Sequence, residues 1–216
     1  MPDVPIEEGW VVADVAAEFP DLRLRWIDVA GGAGRRSSEA LRDRLRHLSN
    51  RFHGAQAITM RSDPIPLAYR VFFRGIGLDP DATRTPIEAA ALNRLMEGGF
   101  SSHDRLSDAL LISLVETGVP LWAVDLASLD GPLGIRQAQL GEQLGVGPFA
   151  NDLLPGRLVV ADAGAPVGVL FGELAPPREP TSATERVRVF TIQVEGVPEL
   201  HVEEALWACQ EALDDD

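Results

Sequence analysis

Ser101-Ser102-His103-Asp104 brings together the side-chain types of a hydrolytic triad: a hydroxyl nucleophile, an imidazole base and a carboxylate. Sequence neighbours point in different directions, whereas triad members must converge in space. The run therefore reads as the cap of a following helix, a position that Ser and Asp favour. Gly32-Ala33-Gly34, with Arg35 and Arg36 behind it, has the composition of a loop that holds phosphate at a helix N-terminus. A dinucleotide fingerprint would need a third glycine where Ser37 stands, so this stretch reads as a plain loop with an incidental anion site at most. His47, His53, His103 and His201 lack metal-ligand spacing, and one cysteine cannot complete a set. No metal and no cofactor are expected. Cys209 falls on the apolar face of a C-terminal helix, where a small buried hydrophobe is the ordinary reading.

The densest positive segment runs from Arg35 and Arg36 through Arg42, Arg44, Arg46 and Arg51. Arg35, Arg36, Arg42 and Arg46 are the candidates to face RNA; the alternative is a solvated helix face partly neutralised by Glu39 and Asp43. All 19 basic residues are Arg. The absence of lysine excludes Schiff-base catalysis, pyridoxal phosphate anchoring and a Walker-A lysine. Of a net charge of −14, nearly all lies in the second half, where residues 106–216 hold 5 Arg against 18 acids. That half repels phosphate, so an RNA partner would have to meet the Arg cluster, and neither DNA nor a membrane is expected as a partner. The acidic start and the lack of a long apolar run read as an unanchored chain, and the lone cysteine fits the cytoplasm.

Elements must position these residues. Trp10 to Ala30 reads as strand, with Leu22, Leu24 and Trp26 alternating with Arg23 and Arg25 behind a turn at Phe19-Pro20-Asp21. A helix from a cap at Ser37 carries Leu41, Leu45, Leu48 and Phe52 and stops at Gly54. An apolar segment covers Leu67 to Phe73. Thr85-Pro86-Ile87-Glu88 combines a capping box with proline at the first helical position, and that helix runs to Gly98-Gly99. Leu106, Leu110 and Leu114 mark another helix after a Ser101-Ser102 cap, ending near Gly118. Extended runs follow at 121–126, 133–138, 158–161, 167–171 and 187–194. The last helix, from Glu199 to Leu213, buries Val202, Leu206, Cys209 and Leu213, and the acidic tail 214–216 is expected to fray.

Pro80, Arg84-Thr85-Pro86-Ile87-Glu88-Ala89, Leu106-Ser107-Asp108-Ala109, Ser113-Leu114, Thr117-Gly118-Val119-Pro120, Ala123-Val124-Asp125-Leu126, Gly131, Ile135-Arg136-Gln137-Ala138 and Gly141-Glu142 follow one another in an order that resembles the B3/B4 domain of the phenylalanyl-tRNA synthetase β subunit. The resemblance is clearest over 80–142 and extends over one domain, 1–216. It implies an α+β fold of layered sheets and helices, and a function in amino-acid quality control: binding and deacylating mischarged aminoacyl-tRNA in trans, in the cytoplasm.

The resemblance also places a pocket. Its adjacent Thr-Asn pair falls here on Leu110 and Leu111, its histidine on Trp122, and the glutamate that reads a tyrosine hydroxyl on Glu195. A glycine-containing stretch near 167–172 lines the same pocket. Leucine offers neither an oriented water nor an oxyanion donor, so a pocket of Leu110, Leu111 and Trp122 suits an apolar group and selects poorly for a hydroxyl. Packing of all three in the core is the alternative. A second function follows from these departures: a noncatalytic module of the same fold that binds a small apolar or amino-acid-like ligand, or a protein partner. Glu88, Asp108, Asp125 and Arg136 are expected to support the fold, with Arg136 and Asp125 as a buried pair fixing helix against sheet.

Overall fold

The computed structural model describes residues 4–52, 54 and 59–214, with the backbone alone at 149. Its first sheet is antiparallel throughout, ordered β1 (Glu7–Glu8), β3 (Arg23–Ala30), β10 (Arg186–Gln193) and β4 (Leu121–Asp125). The second is ordered β2 (Trp10–Val11), β5 (Gly134–Gln137), β8 (Leu158–Ala161) and β9 (Pro166–Val169), and β2 runs parallel to β5. A small hairpin joins β6 (Gln143–Leu144) to β7 (Asn151–Asp152). The helices are α1 (Ala13–Glu18), α2 (Glu39–Arg51), α3 (Pro64–Gly75), α4 (Pro86–Glu97), α5 (Arg105–Thr117) and α6 (Glu199–Asp214). This is an α+β fold of two sheets and a helix layer.

Strand alternation decides what each face of the first sheet meets. Arg25 reaches Glu199 and Glu203 of α6, so the face holding Arg25, Ile27, Val189 and Ala123 is covered by helices. Helix α6 in turn packs along α5, where the Ser113 hydroxyl donates to the Ala205 carbonyl at 2.7 Å. The opposite face carries Leu24, Trp26, Phe190 and Trp122 toward the second sheet. Gly9 is the crossing point between the sheets. A Cβ there would lie 2.5 Å from the Leu133 carbonyl and 3.0 Å from the Trp26 ring, so the chain passes this close only without a side chain. Helix α3 closes the same side, its Tyr69 hydroxyl donating to the Ile192 carbonyl at 3.0 Å.

Several expectations need correction. Trp10 to Ala30 is not all strand, because Ala13–Glu18 forms a short helix that buries Val15 alone. Alanine-rich residues take the helix readily, and a six-residue element shows no stripe. Ser38, not Ser37, caps α2, accepting from the Leu41 N–H at 3.1 Å, and α2 ends at Arg51 with Phe52 as its C-cap, before Gly54. Asp104, not Ser101 or Ser102, caps α5, accepting from the N–H groups of Leu106 and Ser107. Arg136 does not pair with Asp125. It makes a two-pronged ion pair with Glu142, while Asp125 accepts from Thr184 and caps the turn at Ala127. Asp108 accepts from Ser37, Ser102 and the His103 N–H, so it joins two loops before helices rather than helix to sheet. Asp214 is the last helical residue; the frayed tail expected beyond it, and His53, lie outside the described residues.

Candidate functional site

Helix α3 starts with Pro64 at its first position, and Ala68, Tyr69, Phe72 and Phe73 form its buried face at helical spacing. The helix stops at Gly75, and Gly77 turns the chain with φ +79°. The end of α1 at Glu18 and the loop Phe19-Pro20-Asp21 that leads to β3 lie against this end, with the Phe19 and Phe72 ring centroids 5.2 Å apart. Two clefts meet there, of about 480 and 230 Å³, and both are lined by Glu18, Phe19 and Gly75. The larger continues past Gln137, Leu154, Arg157 and Leu170. The smaller continues past Asp21, Ala68, Val71, Phe72 and Glu195.

The groove is therefore polar in an ordered way. Phe19, Phe72 and Leu22 give it apolar lining, Glu18 lines both clefts, Asp21 and Glu195 line the smaller one, and Arg157 lines the larger one. None of these four charged groups has an ion-pair partner among the described residues. A ligand with a cationic amine, a side chain and an anionic group further along matches that sequence of charges. Among the described residues no histidine or cysteine lines the groove, so a carboxylate would have to orient any attacking water. A third cleft, of about 610 Å³, is lined by Phe52, Met60, Ile65 and His201.

Of the residues singled out in the sequence, Glu195 lines the groove. Leu110 and Leu111 lie on α5, half-buried against the main core, in the helix layer. Trp122 lies on the other face of the first sheet, stacked on Phe190 with centroids 5.8 Å apart and edge-on to Phe171 at 5.6 Å. The structure thus sets the two leucines and the tryptophan on opposite sides of the sheet. The stretch 167–172 does approach Trp122, but it presents a phenylalanine there. Arg35 and Arg36 are exposed before α2; the Arg42 Nε donates to the Ser38 carbonyl, and Arg46 pairs with Asp43. None of these four arginines lines the groove. Phe19, Phe72, Glu18, Asp21 and Arg157 were not foreseen as a site. They come from three separate segments, and only Phe19-Pro20-Asp21 carried any signal, as a turn.

Among the described residues no group of three or more His, Cys, Asp or Glu side chains is placed to hold a metal ion, and no helix is long and apolar enough to cross a membrane. Cys209 is buried in the core, and burial pushes its thiol up to about 12.

Comparison with known proteins gives a partial match. No family model matches the chain. Over 101 residues it is 38% identical to the phenylalanine–tRNA ligase beta subunit of Xanthomonas oryzae pv. oryzae, which covers 43% of this chain and 12% of that protein. The beta subunit from Chromobacterium violaceum is 36% identical over 92 residues, 41% of this chain and 12% of that one. The one from Streptomyces avermitilis is 34% identical over 94 residues, 43% and 11%. The chain thus spans about a tenth of the length of these curated relatives, and the likeness is to a segment of the beta subunit.

Proposed function

We propose that residues 1–216 form one B3/B4-like domain that acts in trans in the cytoplasm, holding the aminoacyl end of a tRNA in the groove between α1, α3 and the loop before β8. The partial identity to the phenylalanine–tRNA ligase beta subunit carries this reading. The groove supports it chemically. An aminoacyl ester has a free α-ammonium, which suits Glu18, Asp21 and Glu195, and a nearby phosphate, which suits Arg157. Exposed Arg35 and Arg36, with Arg42 and Arg46, form a separate basic edge for more distant phosphates.

The test is a panel of correctly and incorrectly charged tRNAs incubated with the purified protein, with binding followed at low and physiological salt. Release of one amino acid above the uncatalysed rate is the expected result, and Glu195→Gln with Glu18→Gln weakens binding of the charged tRNA. Absence of both release and salt-dependent binding would refute the tRNA reading. A second reading, a noncatalytic module for an amino-acid-like ligand, is favoured by the groove lining, which among the described residues holds no histidine or cysteine to act as a base or nucleophile. Under that reading, free amino-acid derivatives bind the groove and no ester is cleaved.

A further inference from the structure

Leu154-Pro155-Gly156-Arg157 is a turn closed by the Arg157 N–H donating to the Leu154 carbonyl at 3.1 Å, with proline in second place and Gly156, at φ +83°, in third. It is pinned to the chain just past β5. The Gly156 N–H donates to the Ala138 carbonyl at 2.9 Å, and the Ala138 N–H donates to the Arg157 carbonyl at 2.7 Å. Gln137, the last residue of β5, stands opposite Leu158, and strand alternation sets its side chain on the other face from Arg136, whose guanidinium Glu142 takes. The Gln137 side-chain amide makes no hydrogen bond among the described residues. It lines the larger cleft together with Leu154 and Arg157. Leu154 is 70% exposed, an apolar side chain left in water on a turn that is otherwise fixed. Among the described residues Glu18, Gln137 and Arg157 are the polar side chains of that cleft, and a Cβ at its Gly77 or Gly156 would meet nothing within 4 Å.

We infer that the larger cleft takes the terminal adenosine of the charged tRNA and that Gln137 reads its base. The inference rests on the groove reading above. At about 480 Å³ the larger cleft is in the range of small-ligand sites, whereas the smaller, at about 230 Å³, has room for only part of a ligand. The two share Glu18, Phe19 and Gly75, so an amine held beside Asp21 and Glu195 leaves the rest of its molecule to the larger cleft. In an aminoacyl-tRNA that rest begins with an adenosine. The flat face of the base suits Leu154 and Pro155, which are exposed and apolar. Its edge offers an amino donor beside a ring-nitrogen acceptor, and a glutamine amide with no partner of its own answers both in one plane. Arg157, in the same turn as Pro155, is left for the phosphate on the 5′ side.

Three ligands that carry the ammonium but no cleavable ester test this: L-phenylalaninamide, and the 3′-(L-phenylalanylamino)-3′-deoxy derivatives of adenosine and of purine riboside, which lacks the 6-amino group. Each is titrated against wild type, Gln137→Ala and Gln137→Leu, with binding read by calorimetry and fold by circular dichroism. Wild type is expected to bind the adenosine conjugate about tenfold more tightly than the purine riboside conjugate, the scale of one two-pronged base contact, and the amide most weakly. Both variants are expected to lose the preference between the conjugates and to bind phenylalaninamide as wild type does; Gln137→Leu keeps most of the volume, so its loss identifies the amide rather than bulk. An adenosine conjugate that binds wild type no tighter than phenylalaninamide overturns the nucleoside cleft while leaving the amine end of the groove standing. Equal binding of the two conjugates by wild type, or a preference retained by either folded variant, overturns base reading by Gln137. Binding of none of the three ligands by wild type overturns the groove reading and the inference with it.

Discussion

Glu88 shows how much one carboxylate settles. Its Oε2 accepts from the Thr85 N–H and hydroxyl, completing the capping box of α4, while Oε1 takes the Arg70 guanidinium and Arg61 at 2.9 Å. The Arg70 and Glu88 side chains are 8% and 3% exposed, so their pairing takes place out of water, with Arg61 and Asp81 as the further partners at its rim. Glu88→Gln keeps the volume but removes the ion pairs to Arg70 and Arg61, leaving Arg70 with Asp81 alone, and it should lower stability by about 1–3 kcal/mol. Replacing both partners, as in Glu88→Leu with Arg70→Met, should be milder than the two single losses added together; additive urea midpoints across the four proteins would show that the pair is not coupled. Cys209 makes the opposite case, a titratable group with no polar work. With its thiol buried and pushed up to about 12, it should resist an aromatic disulfide reagent at roughly pH 8 in the native protein and react once per chain in urea. Rapid native reaction would mean that α6 opens locally.

Elements with a cap at one end and an apolar stripe along one face were legible before any coordinates, because both signals are local. The helices now seen as α2, α4, α5 and α6 are of this kind, as are the strands at 121–125 and 186–193. What escaped was either too short to show a period, as in α1, or set by partners distant in sequence. The Arg136 partner is an example: Glu142 lies six residues on, across the bend that follows β5, where periodicity says nothing. Phe171 is another, since its φ is +59° and the glycine that would announce such a turn stands one place late, at 172. The groove was the least legible feature, because Glu18, Phe72, Arg157 and Glu195 come from four elements or loops and none has a local motif. Caps also err by a residue or more when several Ser and Asp compete, and α5 offers a direct test. Asp104→Ala removes the acceptor for the Leu106 and Ser107 N–H groups and should cost about 1 kcal/mol, whereas Ser101→Ala, whose hydroxyl reaches only the exposed Glu97, should change the denaturation midpoint little. Equal losses in the two variants would contradict the cap assignment.

At the scale of the whole molecule, two electrostatic effects oppose each other as the pH falls. Protonating carboxylates relaxes the self-repulsion of a chain carrying −14, which favours folding, but it also removes charges that the folded state uses. Arg136 holds Glu142 below the ordinary carboxylate range, and Arg70 does the same for Asp81. Burial pulls Asp162 upward, yet the N–H groups of Asp130, Ala165 and Gly164 and the Arg178 guanidinium outweigh it and leave that carboxyl lowered as well. A group whose folded pKa is depressed adds stability that is present above its unfolded value, near about 4, and is lost as the pH falls through the folded value. Repulsion between surface charges is screened within about 8 Å at physiological salt, whereas the Asp162 side chain is fully enclosed and its bonds are not. The local losses should therefore win, with the melting temperature level from neutral pH down to about 5 and falling below about 4. Asp162→Asn isolates the effect. The variant should melt well below the wild type at neutral pH, because it gives up the Arg178 pair, and the two curves should converge in acid once the wild-type carboxyl is itself protonated. A gap of constant size from neutral to acid pH would show that packing around residue 162, not its charge, carries the stabilisation.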